Sequence, residues 1–128
     1  MKDLLSTLKN EKGQSAVEFA LVAILLFLLV FGIVEFGRAW YRADLLKGAA
    51  NIAARTYAVT SGTNAVREAA GRTAANRVES GMGAKITFTP DATSVISSAT
   101  ETFQSVVPVL LPMLKNITLT RTATYRLE

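Results

Sequence analysis

A long run of apolar residues near the N-terminus constrains the fold more than any other feature of this chain. Sixteen residues, from Phe19 to Val34, pass without a charged side chain, and counting from Ala16 gives nineteen with Glu18 as the single charged residue. A helix rises about 1.5 Å per residue, so nineteen residues cover close to the ~30 Å hydrocarbon core of a bilayer. The run therefore predicts one membrane-spanning helix, placed at residues 16–38.

The residues that follow the run are typical of a membrane boundary. Trp40 and Tyr41 carry amphipathic rings, which are enriched where lipid meets water. Glu35 and Arg38 stand three residues apart, the spacing of a helical ion pair. These four residues are predicted to lie at the membrane interface, and Trp40 with Tyr41 is predicted to form a plain aromatic belt rather than a ligand site.

Helical periodicity continues beyond the boundary. Polar residues recur every three or four positions, opposite an apolar set of Leu45, Ala49, Ile52, Ala53 and Tyr57; the polar set is Asp44, Lys47, Asn51 and Arg55. Ser61-Gly62 is the first stop signal, so one helix is predicted over residues 14–60. A second helix is predicted from Asn64, as N-cap, to about Ser80, with an apolar face and a Glu68–Arg72 pair. The predicted face is Val66, Ala69, Ala70, Thr73, Ala74 and Val78.

After Gly81 and Gly83, which are predicted to end the second helix, the period changes from 3.6 to 2. Lys85–Thr89 and Ile117–Leu127 alternate apolar residues with threonines, lysine or arginine, as half-buried strands do. Residues 100–107 are a weaker third candidate, and 108–114, with two prolines, is predicted to be a packed loop or a short helical turn. The predicted class is α+β, with residues 61–128 forming a soluble head that contains a small antiparallel sheet.

Composition argues against most enzymes. The chain has no cysteine and no histidine, which removes the usual ligands for zinc, haem and iron–sulfur clusters and the commonest general base. The ten acidic residues are scattered, and no phosphate-binding glycine loop is present. The fourteen basic residues, for a net charge of +4, form no run or stripe. No enzyme, cofactor, metal, small-molecule substrate or nucleic-acid partner is therefore expected.

The leader before the apolar run has an unusual arrangement. Residues 1–13 are short and charged and end in Gly13, directly before the run, whereas no small-residue cleavage site follows the run. Processing after the run, as in an ordinary secretory signal, is therefore disfavoured. A cut between Gly13 and Gln14 would remove the leader and leave the helix in the membrane.

These residues resemble a known family. The stretch "EKGQSAVEFALVAILLFLL" is similar to the type III signal of pilins and pseudopilins, which has a charged leader, a glycine at the cut and a glutamate at mature position five, here Glu18, followed by Phe19. Together with "GIVEFGRAWYRADLLKGAANIAARTYAV" (32–59) and the threonine-rich 117–128, it resembles TadE-like pseudopilins of tight-adherence (Flp/Tad) pilus systems. The resemblance is strongest over residues 10–60.

The resemblance implies a minor pilin or pseudopilin that takes part in assembling or initiating a Tad-type pilus. It implies cleavage by a prepilin peptidase and contact with other pilins and with inner-membrane assembly machinery. The positive charges that flank the run balance and do not decide its orientation. The resemblance implies that the leader (1–13) lies in the cytoplasm and the head in the periplasm or outside, on a single-pass protein of the bacterial inner membrane. The alternative is an uncleaved bitopic protein whose head binds a protein partner.

Glu18 itself has two interpretations. A carboxylate within a membrane span costs about 2.5–3.5 kcal/mol and usually has a partner. Cleavage would create that partner, the α-amino group of Gln14, on the same chain or on a neighbour. Alternatively Glu18 lies near enough to the headgroups to need no role.

Overall fold

The computed structural model describes residues 11–106 and 116–127, with side chains from residue 13 onward. Its elements are helix α1 (Glu11–Val59), helix α2 (Asn64–Ala75), a 3₁₀ turn (Met82–Lys85) and strands β1 (Ile86–Pro90), β2 (Ser94–Phe103) and β3 (Ile117–Arg126). The predicted α+β class is confirmed. The leader residues 1–10 and the predicted loop 108–114 lie outside the described residues.

The chain divides into two compact units, Met1–Glu35 and Phe36–Glu128. Within the first, almost every described side chain of α1 is exposed, and most of these side chains are large and apolar. The described part of the chain contains one helix long and apolar enough to cross a membrane, with a mean hydropathy of 2.9 over its most apolar stretch. This fits a single-pass membrane protein.

The second unit packs the C-terminal half of α1 against one face of the sheet. The helix buries a face made largely of alanine, which lets the backbones of helix and sheet approach closely; its buried residues are Ala43, Leu46, Ala49, Ala50, Ala53, Ala54, Tyr57 and Ala58. The other elements complete the main cluster with Ala75, Met82, Ile86, Ala99 and Ala123. The buried Ser97 hydroxyl donates to the Ala50 carbonyl at 2.7 Å. This bond ties the central strand to the helix at the middle of the core.

The polar stripe predicted for this half of α1 is confirmed in the main. Asp44, Lys47 and Arg55 are exposed, while Ala49, Ala53 and Tyr57 of the predicted apolar face are buried. Ile52 is wrongly placed on that face, since it is exposed. Helix α1 ends at Val59, and Gly62 follows with φ of 126°, as the Ser61-Gly62 stop signal predicts.

The sheet is antiparallel with strand order β1-β2-β3. Strand β1 pairs Ile86 with Ala99, and β3 pairs Ala123 with Ser97, so small residues of β2 lie at the centre. The predicted strands 85–89 and 117–127 are confirmed within a residue at each end. The bounds predicted for the third strand, 100–107, are wrong, because β2 begins at Ser94 and ends at Phe103.

Helix α2 differs from its prediction in three respects. Its N-cap is Thr63 rather than Asn64, and it ends at Ala75 rather than near Ser80. Its buried residues are Gly71, Ala74 and Ala75, whereas Val66, Ala69 and Thr73 of the predicted face are exposed. Gly81 and Gly83 therefore form the 3₁₀ turn after α2 and do not end the helix. The Glu68–Arg72 pair is confirmed at 3.8 Å.

The early end of α2 has a tertiary cause. The Asn76 side-chain oxygen accepts from the Gly83 N–H at 2.7 Å, and the Arg72 guanidinium donates to the carbonyls of Gly83 and Ile86 at 3.1 and 2.6 Å. A Cβ on Gly83 would lie 2.5 Å from the Arg72 carbonyl oxygen. The turn thus folds back against the helix so closely that only glycine fits there.

Candidate functional site

The residues predicted for processing lie at the start of α1. Gly13 and Gln14 are both helical and exposed, and a Cβ built on Gly13 meets no atom within 4 Å. The structure therefore imposes no packing requirement for glycine at this position. If position 13 has to be glycine, the reason lies outside the fold of the chain.

Glu18 lies one helical turn after Gln14. The Gln14 side-chain amide donates to a Glu18 carboxylate oxygen at 3.1 Å, and the pair is exposed. Phe19 is 74% exposed. Glu18 and Phe19 consequently present a carboxylate and an aromatic ring on a helix surface that leaves its large apolar side chains uncovered.

The four residues predicted for the membrane interface do not share one environment. Trp40 and Tyr41 are 67% and 63% exposed, as belt residues are, while Glu35 is 3% exposed. The Arg38 guanidinium lies over the Phe103 ring, 5.4 Å from its centroid. The Glu35–Arg38 ion pair remains a prediction.

One turn after Arg38, a cluster of four charged residues joins three parts of the head. Arg42 of α1 donates to Glu79, which lies between α2 and the 3₁₀ turn, at 2.7 Å, and to Glu101 of β2 at 2.8 Å. Lys85 donates to the same Glu101 oxygen at 2.8 Å. Two cations and two carboxylates make this four-residue cluster, Arg42/Glu79/Lys85/Glu101, neutral overall.

Contacts within the cluster shift the pKa values of Glu101 and Arg42. Burial raises the pKa of Glu101, but the hydrogen bonds from Arg42 and Lys85 outweigh burial and leave that pKa below its usual value. The same contacts from Glu101 and Glu79 raise the pKa of Arg42. Both groups are therefore charged throughout the physiological pH range, and the cluster is a permanent link between helix and sheet.

An open groove of about 560 Å³ lies beside this cluster. It runs between α1 and the end of β2, and its lining residues are Arg38, Tyr41, Arg42, Glu101, Thr102, Phe103 and Gln104. The lining thus combines two guanidiniums with a carboxylate, a phenol, a threonine, a phenyl ring and an amide.

Comparison with known protein families gives one match, in the N-terminal part of the chain. Residues 13–55 match the family model described as TadE-like protein. Over this range the chain is similar to that family. The match lies wholly within α1, it covers Gly13 to Phe19 and the membrane-proximal residues, and it confirms the resemblance inferred from the sequence. No curated protein and no solved structure matches the chain.

Sequence reasoning did not find the charged cluster or the groove. Arg42 and Glu101 are 59 positions apart, and Arg42 and Glu79 are 37 apart, so no local spacing connects them. Glu101 reaches the helix only because β2 packs against α1. Correct bounds for β2 would have placed Glu101 on a strand, and this is the only indication of the cluster that the sequence could have given.

Proposed function

We propose that the chain is a minor pilin or pseudopilin of a Tad-type pilus, processed between Gly13 and Gln14 by a prepilin peptidase. The observation that carries the proposal is the TadE-like match over residues 13–55, which spans this bond and the helix that follows. On this proposal the protein is not an enzyme. It acts by contacts with other pilins and with the assembly machinery of the bacterial inner membrane, with its head outside.

The helix geometry supports a specific role for Glu18. Gln14 and Glu18 already lie within hydrogen-bond reach of one another through the Gln14 side chain. Cleavage would give Gln14 a free α-amino group, whose usual pKa of about 7.7–8.0 keeps it mostly protonated at neutral pH. It would also make position 14 the positive end of the helix dipole, where a carboxylate is favoured.

On this proposal, the α-amino group of Gln14 and the Glu18 carboxylate act during assembly. In an isolated subunit Glu18 and the new amine sit on an exposed helix surface. When helices pack side by side in lipid or in a fibre, a carboxylate without a partner becomes costly, so the amine of one subunit and Glu18 of the next are driven together. Because each helix carries one amine and one Glu18, the pairing sets the axial register between neighbours.

Processing is tested with Gly13→Leu and Gly13→Ala in cells that contain the peptidase. A Cβ at position 13 meets nothing within 4 Å, so neither change is expected to disturb the helix. Intact mass should show the wild type starting at Gln14 and Gly13→Leu starting at Met1. Wild-type protein that keeps its leader in such cells would favour the uncleaved bitopic alternative.

Assembly is tested with Glu18→Ala, Glu18→Asp and Glu18→Gln. We expect Glu18→Ala to be inserted and largely processed but not to support pilus formation, Glu18→Asp to retain part of the function because the charge remains, and Glu18→Gln to resemble alanine. Electron microscopy of pili and the mass of the processed chain are the two readouts.

The matched control is Gln14→Ala. It removes the side-chain amide that contacts Glu18 but keeps the α-amino group after cleavage. Normal piliation is therefore expected from this variant. Wild-type piliation by Glu18→Ala would show that the carboxylate is an interfacial bystander, and loss of pili in Gln14→Ala would assign the role to the side-chain bond instead.

A further inference from the structure

We propose that strand β3 and a pocket beside it bind an extended segment of a partner protein that carries an acidic side chain. The segment adds to the sheet as a further strand along β3 and places its carboxylate between Lys47 and Arg121. Every residue of this site belongs to the unit Phe36–Glu128. The proposal concerns a contact of the head, and it does not depend on processing at Gly13 or on pairing through Glu18.

The free edge of β3 is the better of the two sheet edges for adding a strand. Within the described residues the strand order is β1-β2-β3, so β3 pairs with β2 on one side only. Strand β3 (Ile117–Arg126) has ten residues and no proline, whereas β1 has five residues and ends in Pro90. The N–H and C=O groups on the outer side of an edge strand are a template for another extended chain. Strand β3 therefore offers the longer uninterrupted row of these groups.

A pocket of about 170 Å³ lies between α1 and β3. Its lining residues are Trp40, Ala43, Asp44 and Lys47 of the helix and Arg121 of the strand. Arg121 is two residues from the buried Ala123, so both belong to the side of β3 that faces the helix. A water molecule takes about 30 Å³ in the liquid, so the pocket has room for one side chain. A strand added along β3 directs alternate side chains to this side, and one of them can enter the pocket.

The charges of the pocket match an acidic side chain. Lys47 and Arg121 are positive and Asp44 is negative, so the lining carries a net charge of +1. In the part of the chain that the structure describes, none of the three forms a salt bridge. The Arg121 guanidinium donates to the Thr120 carbonyl at 3.1 Å, which leaves most of its five N–H donors for a ligand.

Arg121 also determines which strands can pair here. A charged residue on the helix-facing side of an edge strand opposes pairing with an apolar strand, because the guanidinium would lose water without gaining a partner. A carboxylate on the incoming strand removes that cost and adds a charge-assisted contact. Strand β3 itself has no acidic residue, so a second copy of β3 does not supply the carboxylate. The occupant that fits is a strand of another protein with an acidic residue at this position.

The test is a fluorescence titration of the full chain in nonionic detergent. Trp40 lines the pocket and is the one tryptophan of the chain, so its emission reports on the site itself. The probe is a synthetic peptide of the same length as β3, with alternating threonine and valine and a glutamate in place of the central valine. In the control peptide lysine replaces that glutamate. The glutamate peptide should change the Trp40 emission saturably, and the lysine peptide should bind about ten-fold or more weakly, because like charges then meet.

Charge reversal in the protein provides the matched variants. Arg121→Glu should exchange the preference, so that the lysine peptide binds more tightly than the glutamate peptide. Lys47→Glu makes the same change from an exposed position of the helix and should shift the preference in the same direction. Arg126→Glu lies on the same strand outside the pocket and should keep the wild-type preference. Equal binding of the two peptides to the wild type, or an unchanged preference in both Arg121→Glu and Lys47→Glu, would overturn the proposal.

A second measurement tests whether the peptide adds as a strand. Hydrogen exchange of the β3 amides should slow when the glutamate peptide is bound, while the exchange of the β1 amides should not change. Two further peptides carry N-methyl groups at either the odd or the even residues, which removes the backbone donors from one edge while keeping every side chain. One pattern should abolish binding and the other should retain it. Binding that tolerates both patterns, or that leaves the β3 exchange unchanged, would show a side-chain contact without strand addition and overturn the proposal.

Discussion

Replacing Glu101 with glutamine tests the charged cluster most directly. The substitution keeps the shape of the side chain but removes the charge that faces Arg42 and Lys85, both at 2.8 Å. A hydrogen bond to a charged partner contributes about 1.5–3 kcal/mol, against about 0.5–1.5 kcal/mol for a neutral one. Two weakened bonds therefore give an upper limit of about 3 kcal/mol for the loss in free energy of unfolding.

Partial exposure lowers that figure. The Glu101 side chain is 17% exposed, but Arg42 and Lys85 are 28% and 30% exposed, so solvent screens both contacts. Arg42 also keeps Glu79 as a partner. We expect a loss of about 1–2 kcal/mol at pH 7, which corresponds to roughly 5–30-fold faster hydrogen exchange of the β2 amides when exchange proceeds through opening of the head.

The pH dependence has a definite sign. The pKa of Glu101 is lowered in the folded protein, so its contribution is complete above its unfolded value of about 4.3 and is lost as the pH falls through the lower folded value. The difference between wild type and Glu101→Gln should therefore be constant from pH 7 to about pH 5. It should shrink below about pH 4, where the protonated carboxyl resembles the amide.

Hydrogen-exchange mass spectrometry of the full chain in detergent, with intrinsic rates corrected for pH, measures this difference. Glu68→Gln is the matched control, because the Glu68–Arg72 contact is longer, at 3.8 Å, and more exposed; its cost should stay below about 0.5 kcal/mol. Equal costs for the two variants, or a Glu101→Gln effect that persists undiminished at pH 3, would refute the assignment of Glu101 as the centre of the cluster.

Three further predictions use the same readout. Gly83→Ala should destabilise the head by about 1–3 kcal/mol, since the new Cβ would lie 2.5 Å from the Arg72 carbonyl oxygen. Gly48→Ala should instead be neutral or stabilising by up to about 1 kcal/mol, because it is helical and its Cβ would meet nothing within 4 Å. A fragment of residues 36–128 should show protected β2 amides, whereas 61–128, which lacks the helix that forms half of the core, should show none; protection in 61–128 would contradict the assigned core.

Most helices and strands of this fold could be predicted from the sequence, because the residues that signal them lie within the element itself. The apolar run, the stop signal at Ser61-Gly62 and the threonine alternation of β3 all follow from residue types within one element. The end of α2 does not, because Asn76 and Arg72 make their decisive hydrogen bonds with the turn at Gly83. A helix boundary set by partners seven to fourteen residues away has no signature in periodicity.

The predicted bounds of β2 are also wrong because of a contact that is distant in sequence. Its inward positions include Val95, Ser97 and Ala99, and a serine at the centre breaks the apolar alternation that marks a half-buried strand. Ser97 is buried because its hydroxyl has a partner on α1, the Ala50 carbonyl. Since that partner is 47 positions away, the sequence alone gives no reason to expect a polar residue in the core.

The two units differ in the partners of their charged side chains. In the head, Arg42, Lys85 and Glu101 form ion pairs with one another within one chain. In the N-terminal unit, the carboxylate of Glu18 has only the neutral Gln14 amide as its described partner, and the apolar surface around it is exposed. On the proposed function, a head whose charges pair within the chain and a helix with an exposed apolar surface are expected of a subunit that assembles through its helix. Substitutions in the cluster should accordingly lower stability without altering register between subunits, whereas Glu18 should affect assembly and leave the stability of the head unchanged.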